Sequence, residues 1–202
     1  MMQLVGRTMS PFVRRVAATL NLYGLPWQAV PLATATDGAK ISAYNPVGRV
    51  PALVLEDGEV LLDSAAILDA LDERMGGAAL TPRAGAERRA VLRAVAIATG
   101  AAEKAVQAYY ETTRRPEALR WAEGVAAVEA QVGGGLAALE AMAGGEHLCG
   151  GAMTQADVTA VAVFDFIGRV RPALLDGRYP GLAALSMRLN ADPRIGDTRP
   201  PG

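Results

Sequence analysis

Cysteine is nearly absent from this chain of 202 residues: Cys149 stands alone, so no disulfide closes within it. A Cys-x-x-Cys redox pair and a zinc site built on cysteines are excluded with it. Histidine is as scarce. His147 is the one imidazole, which argues against a histidine metal cluster and against a serine–histidine hydrolase, so no metal is expected. Lysine is confined to Lys40 and Lys104, and the other basic residues are arginines. With the many alanines and glycines, that bias reads as genomic base composition. An excess of charge is also missing: the net charge is −1, with no long run of one sign. Nucleic acid is therefore not expected as a partner, because phosphate binding wants a basic surface. No apolar run is long enough to span a bilayer. No secretory leader is expected either, since Arg7, Arg14 and Arg15 interrupt the first apolar segment. The Arg14-Arg15 pair precedes a short amphipathic segment ending at Tyr23-Gly24, which does not fit a twin-arginine export signal. A soluble cytoplasmic protein is expected. Hydrophobic residues make up 51% of the chain, enough for a sizeable core in one large domain or two small ones.

Periodicity divides the chain. Residues 2–6 read as a strand. Val13, Val16, Ala17 and Leu20 then share one helical face, and Gly24 and Pro26 end that helix. A second strand follows at 27–32, where Pro31 favours a sheet edge. The polar stretch 33–48 has room for one short helix around Lys40–Ala43. Residues 50–55 and 59–62 make a hairpin about Asp57-Gly58. A helix opens at Asp63-Ser64, turns Ile67, Leu68, Leu71 and Met75 inward, and stops at Gly76-Gly77. The order is βαβαββα over residues 1–77. After a linker at 78–85, residues 86–202 read as all helical, with helices near 86–110 and 117–143, one from Thr154, and one near 180–190. Residues 158–167 are apolar nearly all round, as in the central helix of a bundle. Gly133-Gly134-Gly135 lies inside a predicted helix. It marks either a close helix approach or a break, each glycine costing about 1 kcal/mol against alanine.

Three helix starts and one proline carry the chemistry. Ser10-Pro11 suits the cap and first turn of a helix, and the same hydroxyl with the positive helix end can hold an anion. Pro51 opens a strand. If its peptide bond is cis, the Val50 N–H and C=O both face outward and can pair with an extended peptide as an added strand; the alternative is an ordinary trans proline at a strand start. Asp63-Ser64 reads as a plain cap, or as a pair that grips an α-amino acid group, with Ser64 and helix N–H groups on the carboxylate and Asp63 on the ammonium. Thr154 and Asp157, in "TQAD", form a capping box with a structural role.

Taken in this order, "SPF" (10–12), "NPVGRVPAL" (45–53), "DSAAIL" (63–68), "GGAMTQADVTAV" (150–161) and the closing "DPRIGDTRP" (192–200), which looks like the tail of bacterial members, resemble the glutathione transferase family over nearly the whole chain. The resemblance implies a thioredoxin-like α+β N-terminal domain followed by an all-α helical bundle, usually as a homodimer. It implies glutathione as co-substrate, with Val50 on its cysteinyl backbone and Pro51 cis. Asp63 and Ser64 would take the γ-glutamyl end, and Lys40, or failing it Arg49, the glycyl carboxylate. Ser10 matches the position that meets the sulfur. The implied activity is attack of the activated thiol on a small electrophile, a detoxifying conjugation, in an apolar cleft lined by Met9, Tyr109 and Tyr110. A non-catalytic adaptor, or a glutathione-dependent isomerase or peroxidase, is the alternative. Serine at position 10 cannot form a mixed disulfide, which sets aside the thiol–disulfide exchange branch. Asp63 is one methylene shorter than the glutamate of many members, Thr8 is the nearest alternative hydroxyl to Ser10, Cys149 is read as packing and His147 as inert.

Overall fold

The computed structural model describes residues 1–200. The chain divides into two compact units. The first comprises Met1–Arg83 together with the chain from Leu189 onward, and the second Ala84–Arg188.

In the first unit, β1 (Met2–Val5), α1 (Pro11–Leu22), β2 (Trp27–Val30), α2 (Gly38–Ser42), β3 (Ala52–Val54), β4 (Val60–Leu62) and α3 (Ser64–Met75) follow in order. The sheet order is β2-β1-β3-β4, with β1 and β2 parallel and the other pairs antiparallel. Pro31, directly after β2, thus stands at a sheet edge, where a missing N–H costs no ladder bond. Met2 and Leu4 point to one face, as alternation in a strand requires, and Leu53 lies opposite Leu4. The helical stripes Val13, Val16, Ala17, Leu20 and Ile67, Leu68, Leu71 close over that face in one buried cluster. Each fully buried leucine or isoleucine there contributes about 1.5–3 kcal/mol.

Residues 189–200 fall outside the helical domain to which periodicity assigns them. The short α8 (Pro193–Gly196) packs on α1. Arg14 of α1, only 2% exposed, donates through Nε to Thr198 Oγ1 at 3.2 Å and through Nη2 to Asn190 Oδ1 at 2.7 Å. Helical periodicity reports that a segment is helical, not which unit it joins.

The second unit is built on α4 (Gly85–Thr113), α5 (Ala122–Glu140), α6 (Gln155–Val170) and α7 (Pro180–Asn190), the last running across the unit boundary. α4 packs on both α5 and α6 through a stripe of small residues that includes Ala94, Ala98, Ala101, Ala102 and Ala105. α5 runs unbroken through its three glycines. A Cβ on Gly135 would stand 2.9 Å from the Ala101 Cβ, so the close approach of two helices, not a break, accounts for that glycine. The α6 start carries the full capping box: Thr154 N–H donates to Asp157 Oδ2 at 2.8 Å, and Ala156 N–H donates to Thr154 Oγ1 at 3.3 Å. The other Asp157 oxygen accepts from Leu148 N–H at 2.7 Å, which ties the preceding loop to the helix. Glu140, at the end of α5, accepts from Gly181 and Leu182 N–H and so caps α7. None of the described helices is long and apolar enough to cross a membrane.

Candidate functional site

Strand register brings three chain segments to one line. Val5, Ala52 and Leu62 lie side by side across β1, β3 and β4. Residues 6–10 leave the sheet after β1, Val50-Pro51 enters before β3, and Asp63-Ser64 leaves after β4. Neighbouring strands lie about 4.8 Å apart, so the row is roughly 10 Å wide. Gly6 joins its first two parts. Its φ is +123°, and a Cβ there would meet Val13 Cγ2 at 2.6 Å and Val50 Cβ at 2.9 Å. Only glycine lets the start of α1 and the Val50 loop sit this close. The Val50–Pro51 peptide bond is cis. Buried Asn45 braces the same loop, donating to Arg49 O at 3.0 Å and accepting from Val47 N–H at 3.0 Å.

Ser10 caps α1, with its Oγ 3.5 Å from Val13 N. That contact is long, and among the described residues the hydroxyl proton is donated to none. Asp63 caps α3 more firmly, one carboxylate oxygen accepting from Ala65 N–H at 2.8 Å. Its φ of 67° and ψ of 136° lie in a region side-chain-bearing residues rarely adopt, at a cost of about 1–3 kcal/mol. Ser64 is 4% exposed, and its hydroxyl makes no hydrogen bond among the described residues. That leaves the hydroxyl, at the first position of α3, open to water or to a ligand.

The first unit also buries charge. Arg15 on α1 is 2% exposed, and its Nε and Nη1 have no hydrogen-bond partner. Burial lowers it to about 10, while the charges of Asp63 and Asp72 pull it back up. It is a cation at neutral pH all the same. Asp72 accepts from the Tyr23 hydroxyl, which itself accepts from Leu80 N–H at 2.6 Å. Burial first, and the Asp72 hydrogen bond second, push the Tyr23 hydroxyl well above its ordinary value.

Two family models match this chain: the glutathione S-transferase N-terminal domain over residues 9–74 and the glutathione S-transferase C-terminal domain over residues 99–197. The chain belongs to the glutathione S-transferase family. A curated relative, the uncharacterized GST-like protein YibF of Escherichia coli K12, is 30% identical over 113 residues, covering 56% of this chain and 56% of its own length. The match thus spans about half of that relative. Two solved structures align throughout. The glutathione S-transferase of Methylobacterium radiotolerans JCM 2831, in complex with glutathione sulfonate, is 29% identical with a TM-score of 0.92, covering 100% of this chain and 95% of its own. A glutathione transferase family member from Pseudomonas fluorescens Pf-5, with bound glutathione, is 29% identical with a TM-score of 0.86, covering 100% of both chains.

The remaining residues singled out in this glutathione S-transferase family chain are spread more widely. Lys40 is exposed on α2 with its Nζ 3.5 Å from Asp37 Oδ1, and Met9 is half-buried beside Ser10. Tyr109 and Tyr110 belong to the second unit, near the end of α4, with ring centroids 6.0 Å apart. Tyr110 carries the Arg114 guanidinium 3.5 Å above its ring and lines an open groove of about 750 Å³ with Val106, Gln107, Arg114 and Leu119. His147 Nδ1 lies 3.8 Å from Asp157 Oδ1. The half-buried Cys149 thiol is pushed up by burial and by Asp157, which keeps it protonated and unreactive. Among the described residues no group of three His, Cys, Asp or Glu side chains is arranged to hold a metal. Sequence reasoning passed over Arg15 and Asn45. Arginine in an amphipathic helix reads as surface, and a loop asparagine carries no pattern of its own.

Proposed function

We propose that this chain is a glutathione transferase that binds glutathione along the Ser10–Val50–Ser64 row and activates its thiol for attack on a small hydrophobic electrophile. The observation that carries this is the register of Val5, Ala52 and Leu62, which gathers three recognition elements on one line. Three extended residues reach roughly 10 Å, the width of that row. The family and the glutathione-bound relatives support the same ligand. The Val50 backbone pairs with the cysteinyl residue, and Asp63, Ser64 and the free N–H groups of α3 take the zwitterionic γ-glutamyl end. Lys40, on its exposed arm, takes the glycyl carboxylate.

The chemistry follows from Ser10. A free thiol has a pKa of about 8.5, so it is mostly protonated at neutral pH. Lowering it by about two units requires about 2.7 kcal/mol of preference for the thiolate. A hydroxyl donated to an anion contributes about 1.5–3 kcal/mol, and the positive end of α1 about 0.3–1 more. Together they give about 1.8–4 kcal/mol, a range that brackets the requirement. The proton leaves to solvent, the thiolate attacks the electrophilic carbon, and a carbon–sulfur bond forms as the leaving group departs with the electron pair. Met9, Tyr109 and Tyr110 are proposed to line the electrophile's cleft, and the working form is proposed to be a cytoplasmic homodimer.

Calorimetric titration of glutathione into wild type, Ser10→Ala and Ser64→Ala tests this, with ultraviolet titration of the bound thiol. Wild type binds. Ser64→Ala loses roughly tenfold or more in affinity. Ser10→Ala binds, but its bound thiol titrates near the free value and turnover falls. Absence of glutathione binding by the wild type would sink the proposal and turn the search to a protein partner.

A further inference from the structure

The line of strand ends that carries the proposed glutathione row has a fourth member. Val30 of β2 pairs with Val5, so Val30, Val5, Ala52 and Leu62 stand side by side across the whole sheet. The row runs from Ser64 at the β4 end to Ser10 at the β1 end, and it leaves β2 out. β1 and β2 are parallel, and both leave the sheet at this edge by their carboxyl ends, where the parallel strands of open sheets bind ligands. On that reading the sulfur lies at the β1 end, and the β2 end is the ground beside it, away from the γ-glutamyl group.

Arg7 is tied to that ground. It is exposed, and its Nε donates at 3.1 Å to the carbonyl of Pro31, the residue directly after β2. Its own carbonyl accepts from Ser10 N–H at 3.0 Å, which closes a tight turn between the residue with the guanidinium and the residue with the hydroxyl. One residue earlier, Gly6 N–H donates to Val30 O at 2.9 Å and fixes the two segments to each other. The Pro31 contact uses Nε alone. Nη1 and Nη2 bond to no described residue, and Arg7 makes no ion pair among those residues. The carboxylate of the segment that follows β2, Asp37, is already engaged, by Ala33 N–H at 3.0 Å, by the Thr36 hydroxyl at 3.1 Å and by Lys40 Nζ at 3.5 Å. The paired Nη donors are the edge of a guanidinium that takes a carboxylate through two parallel bonds.

Given the proposed glutathione row, we infer that Arg7 is a specificity-determining residue for the second substrate, and that the preferred electrophile is a halide with a hydrophobic body and one carboxylate. The thiolate sulfur bonds to the carbon that bears the halogen, and the halide leaves with the electron pair. The carboxylate stays unchanged on the Nη1–Nη2 edge, and Arg7 takes no part in the bond exchange.

The test uses the full chain, glutathione and a matched pair of aryl chlorides, chlorodinitrobenzoate and chlorodinitrobenzamide. In both, a nitro group flanks the chlorine on each side and the carboxylate or amide lies para to it. Each rate is taken over its own uncatalysed rate, and binding of each chloride to protein saturated with unreactive S-methylglutathione is measured by calorimetry. The proteins are wild type, Arg7→Gln and Arg7→Lys; an exposed side chain can be replaced without opening the interior. Wild type is expected to favour the benzoate. Arg7→Gln is expected to raise KM and Kd for the benzoate about tenfold, to change those for the benzamide by less than about twofold, and to keep glutathione affinity. Arg7→Lys, which keeps the charge without the planar fork, is expected to fall between. Equal losses for both chlorides, a wild-type preference for the benzamide, or neither turnover nor binding of the benzoate overturns the inference. Loss of glutathione affinity in Arg7→Gln overturns it too, because Arg7 then serves the tripeptide, and the glutathione site stands. Failure of wild type to bind glutathione overturns the row itself, and shows before any chloride is added.

Discussion

Replacing Asp157 by alanine is the perturbation with the largest effect that can be worked from the geometry. The side chain is fully buried and accepts three hydrogen bonds: Leu148 N–H at 2.7 Å, Thr154 N–H at 2.8 Å and the Thr154 hydroxyl at 3.0 Å. Alanine removes the acceptor and leaves two backbone N–H groups in the interior. Each unsatisfied group costs about 1–3 kcal/mol, and the hydroxyl can turn elsewhere. A loss of about 3–5 kcal/mol follows, in the range for breaking a buried charged network. Thr154→Ala removes the long cap from Ala156 N–H at 3.3 Å and the hydroxyl's own bond to Asp157, but leaves that carboxylate both of its backbone donors, and should cost about 1 kcal/mol. For a chain of this length each kcal/mol moves the melting point by about 2–4 °C, so Asp157→Ala should melt about 6–20 °C lower and Thr154→Ala about 2–4 °C lower. Urea unfolding followed by far-ultraviolet circular dichroism gives both free energies. A cost for Asp157→Ala equal to or below that of Thr154→Ala would refute the reasoning, because the Leu148 tether would then contribute nothing.

Three further outcomes are expected. Ser64→Ala should be nearly neutral in urea midpoint, within about 0.5 kcal/mol, because its hydroxyl bonds to no described group, while it weakens glutathione binding; a large stability loss would show that the hydroxyl is structural. Gly135→Leu should cost about 1–3 kcal/mol in the same assay, since its Cβ already meets Ala101 at 2.9 Å, and a neutral result would mean that α4 and α5 separate freely. Tyr23→Phe should destabilise by about 1–3 kcal/mol at pH 7, leaving Leu80 N–H and Asp72 without the hydroxyl. The raised folded-state value means that the unfolded chain loses the phenol proton first. The stability Tyr23 contributes is therefore full below about pH 10 and declines above it, and the gap between the two proteins should narrow there; a constant gap from pH 7 to pH 11 would refute this.

How much of this was legible in the sequence depends on whether a residue's role is local. Caps are local: Ser10, Asp63 and Thr154 each stand at the helix start where their side-chain chemistry places them. The inward stripes of α1 and α3 are local too, because a 3.6-residue period states which side chains share a face. The row of Ser10, Val50 and Ser64 is not local. It depends on which strands pair and in what register, and turn chemistry at Asp57-Gly58 reveals one of those pairings but not the pairing of β1 with β3. Buried charge was least legible. Arg14 and Arg15 are neighbours of identical type, yet one clasps Asn190 and Thr198 and the other is buried with two unpartnered nitrogens. Nothing in an adjacent pair of arginines distinguishes these environments, because the partners of Arg14 lie far along the chain. The three glycines of α5 show the same limit: Gly135 meets Ala101 closely, while a Cβ on Gly134 would meet nothing.

The clasp of Arg14 on Asn190 and Thr198 has a consequence for biosynthesis. A domain made during translation can fold once its own residues have left the ribosome, and N-terminal domains commonly do so first. Here the helix that opens the first unit waits for partners 176 and 184 residues downstream. Until residues 189–200 emerge, the Arg14 guanidinium lacks its bonds to Asn190 and Thr198, and α1 lacks α8. The first unit to be synthesised is thus the last to be completed, and the helical unit that interrupts it can settle beforehand.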